Sequence, residues 1–224
     1  MPRRYCKQCE KPESACLCSW VLPQDNRLPV LVLQHPDELQ HAIGTARLIK
    51  LGLQRSWVET SLVLERERFV ELLRQWSVAR PILVYPTALD ADVPHFTLDF
   101  ETEHFTLPSL LNEFDSLILL DGTWRNTREL LINNSWLKSL PTLAIKHDSA
   151  SRYRIRQACQ KGALATIEAV SLVLNVLDEQ FKAERLLLPF EKMIDYQIDR
   201  MGRDVYKKNY SQARESDAAN PSSH

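Results

Sequence analysis

Short apolar runs, each stopping abruptly at a polar, turn-forming cluster, recur along this chain and restrict its fold more than any other feature. Residues 28–34 (LPVLVLQ) stop at His35 and Pro36, and residues 81–85 (PILVY) stop at Pro86. Residues 116–120 (SLILL) stop at Asp121 and Gly122, and residues 142–146 (TLAIK) run into a basic segment. Each has the length and apolar content of a strand buried on both faces; residues 57–60 give a weaker strand pattern. Between the runs lie helical patterns. Pro36 biases His35 away from helix, and Asp37 with Glu38 suit the first turn of a helix carrying Leu39, Ile43, Ala46, Leu48 and Ile49. Residues 64–76 alternate charge and apolar side chains as an amphipathic helix does, and Thr123 onward carries Trp124, Leu130 and Leu131. The alternation predicts an α/β fold, a mostly parallel sheet with helices on both faces. Residues 90–108 read as an irregular excursion, residues 189–210 as a helix, and residues 211–224 as a disordered tail.

In an open parallel sheet, ligands bind outside the carboxyl ends of the strands, where the next helix also offers unpaired N–H groups. Asp121, Gly122, Thr123 and Trp124 fall at such a point. Two readings stay open there: a capped turn, with Thr123 or Asp121 as the cap, or a ligand site centred on the Asp121 carboxylate. His35, Tyr85 and Pro86 stand at other strand ends. Over residues 146–161, five Lys and Arg side chains oppose only Asp148. If that segment is extended, Arg152, Arg154 and Arg156 share one face, a clamp for phosphate or carboxylate, with Ser151 and Tyr153 beside it. Glu168 lies in an almost wholly apolar helix over residues 164–177. It needs a partner or a ligand, unless Thr166 and Glu168 form a polar first turn.

Charge is nearly balanced, 28 Lys+Arg against 29 Asp+Glu, so any anionic partner must be met by a local basic patch. No segment has the ~18 uninterrupted apolar residues of a membrane span, and no signal-peptide pattern opens the chain. The expectation is a cytoplasmic protein with no obligatory protein partner. Cys6, Cys9, Cys16 and Cys18 form C-x2-C-x6-C-x-C within residues 1–24, a pattern suited to a zinc knuckle in a reducing compartment. Four thiolates leave no open coordination position, so the predicted zinc is structural; an iron–sulfur cluster is the alternative that the same four ligands would accept.

Taken in order, these pieces resemble the DTW-domain family, the tRNA-uridine aminocarboxypropyltransferases. The matching stretches are the cysteine knuckle, residues 34–48 (QHPDELQHAIGTARL), 85–88 (YPTA), 119–124 (LLDGTW), 151–156 (SRYRIR) and 166–169 (TIEA). The resemblance implies a knotted core similar to the SPOUT class, with the catalytic domain over residues 25–210. It further implies transfer of the 3-amino-3-carboxypropyl group of S-adenosylmethionine to N3 of a uridine in tRNA, with release of 5′-methylthioadenosine. Asp121 is then the candidate catalytic residue, either as base at N3 or as the group holding the donor. His35, Tyr85, Pro86, Gly122, Thr123, Trp124, Ser151, Tyr153, Arg154, Arg156, Thr166 and Glu168 become candidate binding residues. The alternatives are an RNA methyltransferase of the same fold class and a zinc-knuckle RNA-binding protein without catalysis.

Overall fold

The computed structural model describes residues 4–40, 44–101, 109–147 and 164–206, and in it the apolar runs form one six-stranded, wholly parallel sheet. The strands are β1 (Val30–Gln34), β2 (Ser56–Thr60), β3 (Pro81–Val84), β4 (His95–Asp99), β5 (Ser116–Asp121) and β6 (Thr142–Lys146), in the spatial order β2-β1-β5-β3-β6-β4. The helices are α1 (Ala46–Gly52), α2 (Arg66–Gln75), α3 (Trp124–Asn133), α4 (Thr166–Leu177), α5 (Ala183–Met201) and the short α6 (Arg203–Tyr206).

Period-two geometry divides the central strands between two cores. Val30, Val32, Leu117, Leu119 and Ile82 join α1, α4 and α5 on one face. Leu31, Leu33, Ile118 and Leu83 join α2 and α3 on the other. Because both faces are covered, the strands carry no inward/outward polar alternation, which is why they read as continuous apolar runs. From β1 the chain passes through α1 to β2, on one side; from β5 it passes through α3 to β6, on the other side and the opposite face. β1 and β5 are neighbours, so their carboxyl ends flank a topological switch point, where such sheets leave a crevice.

Three local expectations change. Residues 95–99, expected to be irregular, form the edge strand β4, in register from His95↔Thr142 to Asp99↔Lys146. Leu98 is its one fully buried side chain, so the apolar signal is too sparse to be seen before β6 supplies the ladder. The single helix expected after His35 is a 3-10 turn over Pro36–Gln40 and then α1. The carboxyl-terminal helix begins at Ala183, contains Pro189, and stops at Met201, where Gly202 adopts φ +90°. A proline inside a helix costs about 3 kcal/mol. Leu186, Phe190, Met193 and Ile194 are buried around it, each contributing about 1.5–3 kcal/mol, and that burial wins. No helix among the described residues is long and apolar enough to cross a membrane.

α1 and α5 approach closely at Gly52, where an added Cβ would lie 2.6 Å from Leu186 Cδ1 in a fully buried position. Gly52→Ala should therefore destabilise the protein by about 1–3 kcal/mol in urea unfolding. Introduced into a Leu186→Ala background, the same substitution should cost clearly less, because the clashing methyl is gone.

Candidate active site at the sheet switch point

Asp121 is the last residue of β5 and is buried, 6 % exposed. Its carboxylate is held from two directions. Gln34 Nε2, at the end of β1, donates to Oδ2 at 2.8 Å, and Thr166 Oγ1, at the start of α4, donates to Oδ1 at 2.5 Å. Gln34 is fixed in turn by Thr60, the last residue of β2, whose hydroxyl donates to Gln34 Oε1 at 3.0 Å. The amide therefore presents its N–H2 to Asp121 and its oxygen to Thr60, a polar chain across the carboxyl ends of three strands. A buried carboxylate without partners would carry a large desolvation penalty; charge-assisted hydrogen bonds offset it.

The turn after Asp121 is equally constrained. Gly122 leaves room for α3 to start directly: an added Cβ would meet Asn126 Cβ at 2.9 Å and His35 Cβ at 3.5 Å. Thr123 caps α3 by accepting from the Asn126 N–H at 3.2 Å, so the capping reading of this segment is correct for Thr123. Asn126 Nδ2 reaches Glu38 Oε1 at 3.3 Å and ties α3 to the 3-10 turn after β1.

His35 is buried beside this turn, and its backbone N–H donates to the Asp121 carbonyl at 3.0 Å. The ring accepts the Asp37 N–H at Nδ1, 3.2 Å, which leaves Nε2 as the protonated nitrogen of the neutral imidazole. Nε2 is buried with no hydrogen-bond partner among the described residues, and Glu129 Oε2 lies 3.6 Å away. An orphaned buried N–H is costly and marks a place where a ligand group can bind.

Tyr85 follows β3, half-buried; burial pushes its phenol up, against the opposing charge of Arg128, so it remains an O–H donor at neutral pH. Pro86 is exposed next to it, and Trp124 is 41 % exposed at the first position of α3. Glu168 turns out to serve its own helix: Oε2 accepts the Ala165 N–H at 2.8 Å. Ala165 has no hydroxyl, so only this half of a capping box forms, and Glu168 makes the contact that a polar first turn calls for. Thr166, from the same turn, goes to Asp121 instead. Ser151, Tyr153, Arg154 and Arg156 lie outside the described residues. Gln34, Thr60 and Asn126 carry little local signal in the sequence, beyond a polar residue closing the buried strand VLVLQ.

The four knuckle cysteines converge, with all Sγ atoms within 4.8 Å of one another. Cys6 and Cys18 are 3.6 Å apart and Cys9 and Cys16 3.8 Å. A tetrahedron with Zn–S bonds of about 2.3 Å has S···S edges of roughly 3.8 Å, so the donor set fits a structural zinc ion. Backbone N–H groups of Cys9 and Gln8 bring the Cys6 thiol down to about 6, whereas loss of solvent pushes Cys18 up to about 12. The knuckle is fastened to α1 by Arg47, which pairs with Glu10 at 2.6 Å and donates to the Gln8 carbonyl at 2.8 Å. Leu17 anchors it in the core.

Residues 3–198 match the family model described as the DTW domain. The chain is 26% identical over 213 residues to tRNA-uridine aminocarboxypropyltransferase 2 of Mus musculus, covering 93% of this chain and 68% of that protein. It is 25% identical to the protein of that name from Macaca fascicularis, covering 88% and 64%. The protein of that name from Drosophila melanogaster is 26% identical, covering 88% and 76%. No solved structure matches the chain.

Gly122→Ala should destabilise the protein by about 1–3 kcal/mol, measured by chemical denaturation, because the clash is with Asn126 Cβ and can be relieved only by shifting the first turn of α3.

Proposed function

The chain belongs to the DTW-domain family, and from that premise we propose that it transfers the 3-amino-3-carboxypropyl group of S-adenosylmethionine to N3 of a uridine in tRNA. The observation that carries this reading is the buried Asp121 carboxylate, fixed by Gln34 and Thr166 at the switch point of the sheet. The names of the relatives support the reaction class and the nucleic-acid substrate.

S-adenosylmethionine supplies carbon centres activated by its sulfonium, and which one reacts depends on which is held in line with the nucleophile. Uridine N3 must lose a proton to become nucleophilic. Asp121 takes that proton: its carboxylate is already oriented, so no side-chain freedom is lost as the reaction proceeds. In the overall balance N3 gains a bond to carbon, the carbon–sulfur bond breaks, and sulfur keeps the electron pair, giving 5′-methylthioadenosine. His35 Nε2 and the Tyr85 hydroxyl offer N–H and O–H donors for oxygen atoms of the bound groups, on either side of Asp121. Ser151, Tyr153, Arg154 and Arg156 complete the donor site in this proposal, with an arginine fork for the donor carboxylate.

Asp121→Asn keeps the size of the side chain and removes its basicity. It should lower formation of the modified uridine by about 10²- to 10⁴-fold, read by mass spectrometry of tRNA nucleosides, with the fold retained by circular dichroism. Undiminished turnover would remove Asp121 from the mechanism. Recovery of S-adenosylhomocysteine in place of methylthioadenosine would mean methyl transfer instead.

The cysteine tetrad is proposed to hold a structural zinc ion. Metal analysis of the purified protein should find one zinc per chain, lost in Cys9→Ser together with the order of the knuckle, seen as rapid proteolysis near the amino terminus.

A further inference from the structure

On the β1/β2 side of Asp121, away from Tyr85, a cleft of about 1280 Å³ opens between the cysteine knuckle, α1, α5 and the ends of β1 and β2. Its floor includes Gln34 and Thr60, the same two side chains that form the polar chain to Asp121. Five Lys and Arg residues line it against three Glu, in a protein whose formal net charge is −1. One of those glutamates, Glu10, is already paired with Arg47. Arg4, Lys50 and Arg200 are exposed and come from three different elements, the knuckle, α1 and α5. None of the three makes an ion pair among the described residues. Two aromatic rings join them: Tyr5, 57 % exposed, and Tyr196, whose hydroxyl lies 3.5 Å from Ser14 Oγ across the knuckle–α5 boundary.

We propose that this cleft binds the single-stranded RNA flanking the target uridine, threading the strand between knuckle and α5 so that the base arrives at Asp121 over Gln34 and Thr60. The inference rests on the transferase reading above and adds where its macromolecular substrate lies. Its size exceeds the roughly 300–1,000 Å³ of small-molecule pockets. Unpaired cations spread over three elements suit a row of phosphates, and the exposed Tyr5 ring, with the half-buried Tyr196 facing it across the cleft, suits stacked bases, the combination used for single-stranded nucleic acid. S-adenosylmethionine is a poor occupant, since its net charge is positive and the cleft's own charge would repel it. The cleft also gives the knuckle a purpose beyond folding. By holding Arg4 and Tyr5 opposite α5, the cysteine cluster builds one wall of the RNA path.

The test uses the full-length protein and fluorescence anisotropy with labelled tRNA. The double variant Lys50→Glu/Arg200→Glu should bind tRNA about tenfold more weakly, and the slope of log K against log salt should shrink by about 1.4, at ~0.7 per lost phosphate contact. Its affinity for S-adenosylmethionine, by calorimetry, should stay at the wild-type value. Lys138→Glu, an exposed charge reversal after α3 at the amino edge of the sheet, should leave tRNA affinity unchanged. The proposal is overturned if the double variant binds tRNA like wild type, if Lys138→Glu weakens binding as much, or if the double variant loses the donor instead. Wild-type protein that binds no tRNA overturns it as well. Failure of the transferase reading shows separately, as wild-type protein that yields no modified nucleoside; the binding comparison still decides the cleft.

Discussion

The pairing of β1 with β5 is the constraint from which the rest of the molecule follows. Both strands are buried on two faces, so neither can place a functional side chain along its length without burying it unsatisfied. Polar chemistry is pushed to the ends, and Gln34 and Asp121 stand opposite each other in the ladder at that limit. The chain leaves these two strands in opposite directions, and the turns that follow them are tied together by Asn126 and Glu38. A carboxylate and an amide, held in register by backbone hydrogen bonds, stand at the switch point of the sheet, and the amide lines the cleft on its β1/β2 side.

The carboxylate is stabilised by elements that have no other reason to meet. Thr166 comes from a helix 45 residues after Asp121, and Gln34 from a strand 87 residues before it. α4 is anchored by apolar burial of Ile167, Val170, Val173 and Leu174, which positions its first turn independently of the hydrogen bond Thr166 makes. Packing energy thus pre-organises the polar site, and little remains to be ordered when a ligand arrives. The knuckle is placed in a similar way. Arg47 grips it from α1, Lys192 of α5 lies 4.9 Å over the Trp20 ring, and the close α1–α5 contact at Gly52 sets the two helices that support it.

The strand ends, the parallel character of the sheet and the cysteine tetrad were legible because each is a local pattern. A buried strand is a run of apolar residues, a turn is Gly or Pro with polar neighbours, and a metal knuckle is a spacing of thiols. β4 was not legible: with Leu98 its one fully buried side chain, it is a strand because β6 offers an unpaired edge. The start of α5 is hidden for a related reason, since Pro189 is a strong local signal that burial of its neighbours outweighs. Glu168 and Thr166 show the limit most clearly. Both polar groups of that first turn stand out in the sequence, yet only the folded chain shows that one caps the helix and the other binds Asp121.

By itself, then, the sequence determined a two-sided parallel sheet, a thiol cluster at the amino end, and an aspartate at a strand end followed by a capped helix. Periodicity and turn chemistry act over a few residues and are written directly in the chain. Tertiary structure alone decided that Gln34, Thr60 and Thr166 gather on that aspartate, and that the knuckle faces α5 across a basic cleft beside it. Those juxtapositions depend on strand order and on the direction of each crossover, which are set by the packing of all the helices together and by no local segment.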